Sequence, residues 1–146
     1  DSEKGGSSKP TLICLLENPK VWIVNIHLRF RNYGLNQLQE IMTFFSSRRD
    51  VSVIMVGDFN MIKGNKYYND KHELLLSNNF VNFYDSADME HPTTFIGKTE
   101  NPVTKCLDYI YYRTGAEDTD FRLTWKQVTY RSNLSDHNPF TVKINW

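Results

Sequence analysis

The chain has 146 residues, of which 40% are hydrophobic, 14% aromatic and 23% charged, the composition of one folded domain and not of a disordered tail. Basic and acidic residues balance at 17 each, which excludes a bulk positive field as the means of binding nucleic acid, so a polyanion must be gripped by a local site. There is no apolar run long enough to span a bilayer, and residues 1–10 are polar, so neither a membrane span nor a signal peptide is expected and the setting reads as soluble and intracellular.

In chain order, residues 1–10, with Gly5-Gly6-Ser7-Ser8, read as a flexible leader or linker, and residues 11–146 as the folded unit. Leu12 to Leu16 and Val21 to Leu28 are strand-like runs on either side of the turn residues Asn18-Pro19, a hairpin signal. Leu35, Leu38, Met42 and Phe45 recur at helical spacing and predict a helix over 34–47. Val51 to Val56 is short and β-branched, as a buried strand is, and it places Gly57-Asp58-Phe59-Asn60 just past its C-terminal end. Asp70 and Glu73 form a capping pair for a short helix that stops at Asn78-Asn79, with polar loop beyond.

Alternation predicts further strands over 106–113, 121–128 and 140–144. Helices early and strands late make this an α+β chain with a mixed sheet and flanking helices. Cys14 and Cys106 each lie in an apolar run and are expected as core thiols, not as a disulfide. The sequon Asn133-Leu134-Ser135 adjoins the motif described next, where a glycan would obstruct the site, and is read as chance.

Four polar clusters stand at the edges of the predicted strands: Asn25 with His27, Asp58 with Asn60, Asp108, and Asp136 with His137. Carboxylates, an amide and imidazoles at strand ends are the groups that activate water against a phosphate. No serine or cysteine nucleophile motif competes, and Gly5-Gly6 lacks the lysine and flanking strand of a phosphate-binding loop. Singly, each cluster is ordinary turn chemistry.

Together the clusters carry more. Asn25-Ile26-His27-Leu28, Gly57-Asp58-Phe59-Asn60, Leu107-Asp108-Tyr109-Ile110 and Ser135-Asp136-His137, in that order, resemble the C-terminal motifs of the endonuclease/exonuclease/phosphatase superfamily. The resemblance runs from Leu12 to Ile144. Residues 37–45 look like the helix before the Gly-Asp-Phe-Asn strand, and Thr93-Thr94-Phe95 looks like a segment of its deadenylase-like and nocturnin-like members.

What the resemblance implies is half of a four-layer α/β/β/α sandwich of the DNase-I-like kind, and a Mg²⁺- or Mn²⁺-dependent phosphodiesterase, a nuclease favouring RNA over DNA. Sphingomyelin or inositol phosphate esters are the alternative substrates, and a noncatalytic binding module is the alternative class. Asp58 would orient or deprotonate the attacking water, Asn60 would hold that water or a phosphate oxygen, and His137 would stabilise the transition state with Asp108 fixing its tautomer. Asp136 would bind the metal, and His27 would contact the scissile phosphate.

Asn25, Arg29 and Lys63 are the candidate substrate-binding residues, with Arg31 and Lys66 as further cations and Tyr67, Tyr68 and Tyr112 as base-stacking candidates. Family members carry an asparagine and a metal-binding glutamate in a preceding half. Gln39-Glu40 offers such a dipeptide only in mid-helix, after the histidine motif. The expected partner is therefore that preceding half, or a second copy, covering a sheet face that would otherwise be wet and apolar.

Overall fold

The computed structural model describes residues 9–96, 104–118, 121–126, 135–139 and 141–145. Leader residues 1–8, Asn133 of the sequon, residues 127 and 128, and Phe140 lie outside the described residues.

Strands β1 (Leu12–Glu17) and β2 (Lys20–His27) form the expected antiparallel hairpin. Helix α1 (Arg31–Phe45) then returns the chain to β3 (Ser52–Asp58), which lies parallel to β2. Helix α2 (Lys66–Ser77), strand β4 (Val81–Asn82), the one-turn helix α3 (Phe83–Ser86), and strands β5 (Phe95–Ile96), β6 (Thr104–Lys105) and β7 (Asp108–Arg113) follow. Strands β8 (Arg122–Lys126) and β9 (Thr141–Asn145) complete the order. The main sheet is five-stranded, β1-β2-β3-β7-β4, and mixed, because β7 runs antiparallel to β3. β5–β6 and β8–β9 are separate two-stranded pairs.

Residues directly opposite one another in a ladder share a face of the sheet. One face presents Val24, Val53, Met55, Tyr109 and Tyr111, all buried. Against it lie Leu38, Met42 and Phe45 of α1 and Tyr68 and Leu75 of α2, also buried, with ring contacts from Trp22 to Phe45 at 5.9 Å and from Tyr68 to Tyr109 at 6.0 Å. Each such side chain taken out of water stabilises the fold by about 1.5–3 kcal/mol. Arg113 at the end of β7 ties down the chain as it leaves α1: its guanidinium donates to the carbonyls of Phe45, the last helical residue, and of Arg48 just beyond it.

The opposite face is covered only in its middle. Tyr112 stacks obliquely on Phe121 at 6.0 Å, and Leu123, Val142 and Ile144 of β8 and β9 pack on the core there. Along the β1 edge the row Leu12, Cys14 and Leu16 stays exposed, Leu12 by 60% and Leu16 by 45%. The expectation of a wholly uncovered face is thus reduced to this strip and to Val81, 40% exposed at the β4 edge.

Several local readings are corrected. Cys14 is exposed, not a core thiol, because β1 is an edge strand and its row meets no covering layer. Helix α2 starts a turn earlier than Asp70: Asn65 is its cap, accepting from the Tyr68 N–H at 2.7 Å, which brings Tyr68 into the helix and onto the buried sheet face. The loop expected after Asn79 instead folds as β4 and α3, because Phe80, Phe83 and Tyr84 are buried. Gly57 and Asp58 belong to β3 itself, extending it two residues beyond Val56.

Candidate active site

The ladder builds the site. His27 ends β2, Asp58 ends β3 and Asp108 opens β7, and the register places His27 opposite Asp58 and Asp58 opposite Asp108. Three strand termini therefore set an imidazole and two carboxylates side by side on one face. His27 Nε2 lies 3.3 Å from Asp58 Oδ2. The other Asp58 oxygen accepts from the Asn60 backbone N–H at 2.7 Å, and Asn60, at a left-handed φ of 46°, gives its side-chain amide to the Leu28 carbonyl at 2.6 Å. Asparagine tolerates that backbone region better than most residues, which suits it to this tight turn.

His137 completes the row from outside the sheet. Its Nδ1 lies 2.7 Å from Asp108 Oδ2. An ionised carboxylate only accepts, so this contact puts the proton on Nδ1 and leaves Nε2 for other chemistry. The 135–139 segment is pinned by 93–96: Ile96 N donates to the Asp136 carbonyl at 2.8 Å, and Asn138 N to the Thr94 carbonyl at 2.7 Å.

Thr94, itself buried, accepts through Oγ1 from the backbone N–H groups of Leu107 at 2.9 Å and Asp108 at 3.0 Å. It thereby joins the Asp108 strand to the His137 loop. Tyr84, from α3, donates its hydroxyl to the Asp108 carbonyl at 3.0 Å. The Tyr84 support is not visible in local sequence, whereas Thr94 lies in the Thr93-Thr94-Phe95 segment of the family resemblance.

Electrostatically, Asp58 is the most perturbed carboxylate of the row. Burial raises its pKa above the ordinary carboxylate value and Asp108 pushes the same way, against the lowering effects of the Asn60 N–H, His27 and His137. A folded pKa above the unfolded one means that the ionised side chain is a net cost to the fold, absent in acid and felt as pH rises through the folded pKa. Asp58→Asn keeps an acceptor for Asn60 N and removes the charge. Its melting temperature, measured without divalent ions, should exceed that of the parent at neutral pH and converge with it in acid; a variant less stable at neutral pH would contradict this electrostatic account.

The remaining expected residues divide. Asn25 is exposed on the His27 face two residues earlier, beside a groove lined by Leu12 and His27. Lys9 lies against the His27 ring, its carbonyl held by Gln37 at 3.0 Å. Arg29 sets its guanidinium over the Tyr33 ring at 5.1 Å.

Lys63 is engaged by Asp85 and by His91, each at 3.3 Å, so among the described residues it enters the region as part of a cluster and not as an open cation. Tyr68 and Tyr112 are spent on packing and are withdrawn as stacking candidates. Phe30 and Tyr33, 64% and 46% exposed just after His27, were missed although the run Arg29-Phe30-Arg31-Asn32-Tyr33 interleaves cations with aromatics.

Asp136 is half-buried, and its carboxylate has no hydrogen bond or ion pair among the described residues. No group of three or more metal-binding side chains occurs among those residues. Asp58 and Asp108 are nonetheless adjacent hard-oxygen donors whose mutual repulsion a cation would relieve. Mg²⁺ is commonly held by one or two carboxylates, with waters and substrate phosphate completing its octahedron. The donor set fits that ion. No helix among the described residues is long and apolar enough to cross a membrane.

No family model matches the chain, and no curated protein matches it. Solved structures do. TDP2 of D. rerio complexed with single-strand DNA product superposes with a TM-score of 0.64 at 16% identity, over 85% of this chain and 53% of that one. A mannosyl-6-phosphatase of Bacteroides thetaiotaomicron gives 0.56 at 18%, over 87% and 52%. An endonuclease/exonuclease/phosphatase family protein of the same organism gives 0.55 at 18%, over 86% and 49%. The chain spans about half the length of each of these structures.

Proposed function

Starting from the endonuclease/exonuclease/phosphatase fold that this chain carries, we propose that it is the catalytic C-terminal half of a Mg²⁺- or Mn²⁺-dependent phosphodiesterase acting on single-stranded nucleic acid. The observation that carries the reading is the row His27, Asp58, Asp108, with His137 bonded to Asp108 at 2.7 Å. Four groups from separate chain segments converge where one phosphate can meet them all.

Asp58, beside His27 and with its pKa raised by burial, takes the proton of the attacking water, a raised pKa making a carboxylate a stronger base. Asn60, its amide nitrogen committed to Leu28, has Oδ1 left to orient that water. His137, held in one tautomer by Asp108, presents Nε2 to the developing charge on the phosphate oxygens. His27, beside Asp58, contacts the scissile phosphate on the leaving-group side.

Asp136, next to His137 in sequence, would hold the divalent cation, and Asp58 and Asp108 are the further carboxylates of the row. When bound, that ion neutralises phosphate charge and lowers the pKa of water.

Nucleic acid is favoured by the flanks of the row. Phe30 and Tyr33 are exposed aromatics three and six residues after His27, Arg29 and Arg31 flank Phe30 in sequence, and base–aromatic stacking with backbone cations is how single strands are held. The DNA-bound TDP2 structure points to the same class. A second reading, hydrolysis of a phosphate monoester, is favoured by the mannosyl-6-phosphatase likeness. The exposed strip of Leu12, Cys14 and Leu16 would receive the other half of the sandwich.

The test is hydrolysis of fluorescent single-stranded RNA and DNA, of sugar phosphates, and of sphingomyelin and inositol phosphates, by the chain alone and with a preceding half supplied. Cleavage of an oligonucleotide that EDTA stops and Mg²⁺ restores is the expected result. Turnover of the sugar phosphate alone would move the assignment to the second reading, and no turnover of any substrate with both halves present would overturn the enzyme reading.

A further inference from the structure

Lys71 is fully buried, at 0% exposure, in the middle of α2. Its ammonium donates to the carbonyls of Phe59 at 2.8 Å, Asn60 at 3.4 Å and Arg29 at 3.4 Å. Three acceptors match its three protons. Among the described residues no carboxylate pairs with it, and burial pulls its pKa down to about 8 while Asp58 acts the other way.

A buried charge without a counter-ion costs stability, and the three carbonyls that accept from it offset part of that cost. What the lysine holds in place accounts for it.

The three carbonyls identify it. Arg29 is two residues past His27, and Phe59 and Asn60 directly follow Asp58. These are the two loops that carry neighbouring members of the catalytic row. They are already tied once, where Asn60 bonds the Leu28 carbonyl at 2.6 Å. Lys71 ties them a second time, from the helix side. The space for its ammonium is left by Gly34 in α1: a methyl group there would lie 2.8 Å from Lys71 Nζ and 2.1 Å from the Arg29 carbonyl oxygen.

We propose that Lys71 is a positioning residue of the phosphodiesterase site, a three-armed clamp from α2 that holds the loops after β2 and β3 so that His27 and Asp58 keep their mutual geometry. It touches neither water nor phosphate, and it acts through the backbone. The inference rests on the phosphodiesterase reading for its catalytic consequence, but the clamp can be observed without turnover.

The experiment compares the wild type with Lys71→Met and Lys71→Gln, using whichever form of the protein is active in the assay above. Lys71→Met should lower kcat about 10–100-fold, the scale on which small misplacement of reacting groups acts. KM should change less than about twofold and the melting temperature should shift little, since removal of the buried charge offsets the three carbonyls left without a donor. Lys71→Gln, whose amide supplies two donors, should recover part of kcat.

In parallel, the imidazole signals of His27, His91 and His137 are followed by NMR in all three proteins. In Lys71→Met the His27 resonance should move and broaden, and by more than that of His91, which among the described residues bonds to the loop after β3 only through Lys63.

Wild-type kcat in Lys71→Met would overturn the proposal. So would a kcat deficit that vanishes at temperatures where variant and parent are equally folded, because that is the mark of a purely structural lysine. Should the wild type prove inactive on every diester, the phosphodiesterase reading fails, and the His27 resonance decides the clamp by itself: an unmoved signal overturns it. If Lys71→Met does not fold, the same readouts are taken on Lys71→Gln.

Discussion

Asp58→Ala and His137→Ala should each reduce turnover of an oligonucleotide by about 10²–10³-fold or more while leaving the fold intact. The two side chains sit at the end of β3 and in the 135–139 segment, on the solvent side of the core, and neither belongs to the buried apolar cluster. Truncation removes chemistry without opening a cavity, so stability changes should stay small. For Asp58 the loss of a carboxylate that burial and Asp108 render costly offsets the loss of the acceptor for the Asn60 N–H.

The pair should also be non-additive. A base without its phosphate-stabilising partner retains little to lose, so the double variant should be scarcely slower than the worse single one. Steady-state rates with matched circular dichroism spectra are the measurement. Near-parental rates in both variants would remove Asp58 and His137 from the site.

Gly57→Ala should fail to fold, or should lose about 3 kcal/mol or more of stability. Gly57 has a φ of 129°, a region closed to residues with a Cβ, and a methyl group on it would sit 2.0 Å from the Ile26 carbonyl oxygen. Ile26 is its parallel-strand partner, and the next pair along is His27 with Asp58. The close approach that forbids a side chain at Gly57 is therefore part of what brings the imidazole to the carboxylate.

Gly64→Ala is the control. Gly64 also has a positive φ, 92°, but nothing lies within 4 Å of an added methyl, so its substitution should cost about 1–3 kcal/mol through backbone strain alone. Urea denaturation of both variants separates the clash from the strain. Equal midpoints for the two would mean that the strand contact at Gly57 relaxes at little cost.

Helix α1, the hairpin and strands β3 and β7 were legible in the sequence because each has a local period matched to its element: Leu35, Leu38, Met42 and Phe45 for the helix, alternation or a β-branched run for the strands. The polar groups that gather at the strand ends were legible as well, as four motifs in a recognisable order.

Local pattern could not distinguish covered from uncovered. Cys14 and Val24 both sit in apolar runs, yet one is exposed and the other wholly buried, because only the sheet order makes β1 an edge and only the helices choose a face. For the same reason Tyr68 passed for a surface ring, although capping by Asn65 turns it into the core.

What the sequence determined by itself was the supply of chemistry and the periodicity of the elements that carry it, both of which depend on neighbours within a few positions. What the tertiary structure alone decided was adjacency. The 27–58–108 row arises from a parallel and an antiparallel register, the Asp108–His137 contact spans 29 positions, and the Lys71 clamp joins α2 to loops 11 to 42 positions away. Contacts of that range are set by the packing of helices on a sheet, where burial of apolar area outweighs local preference, and no window along the chain contains the information.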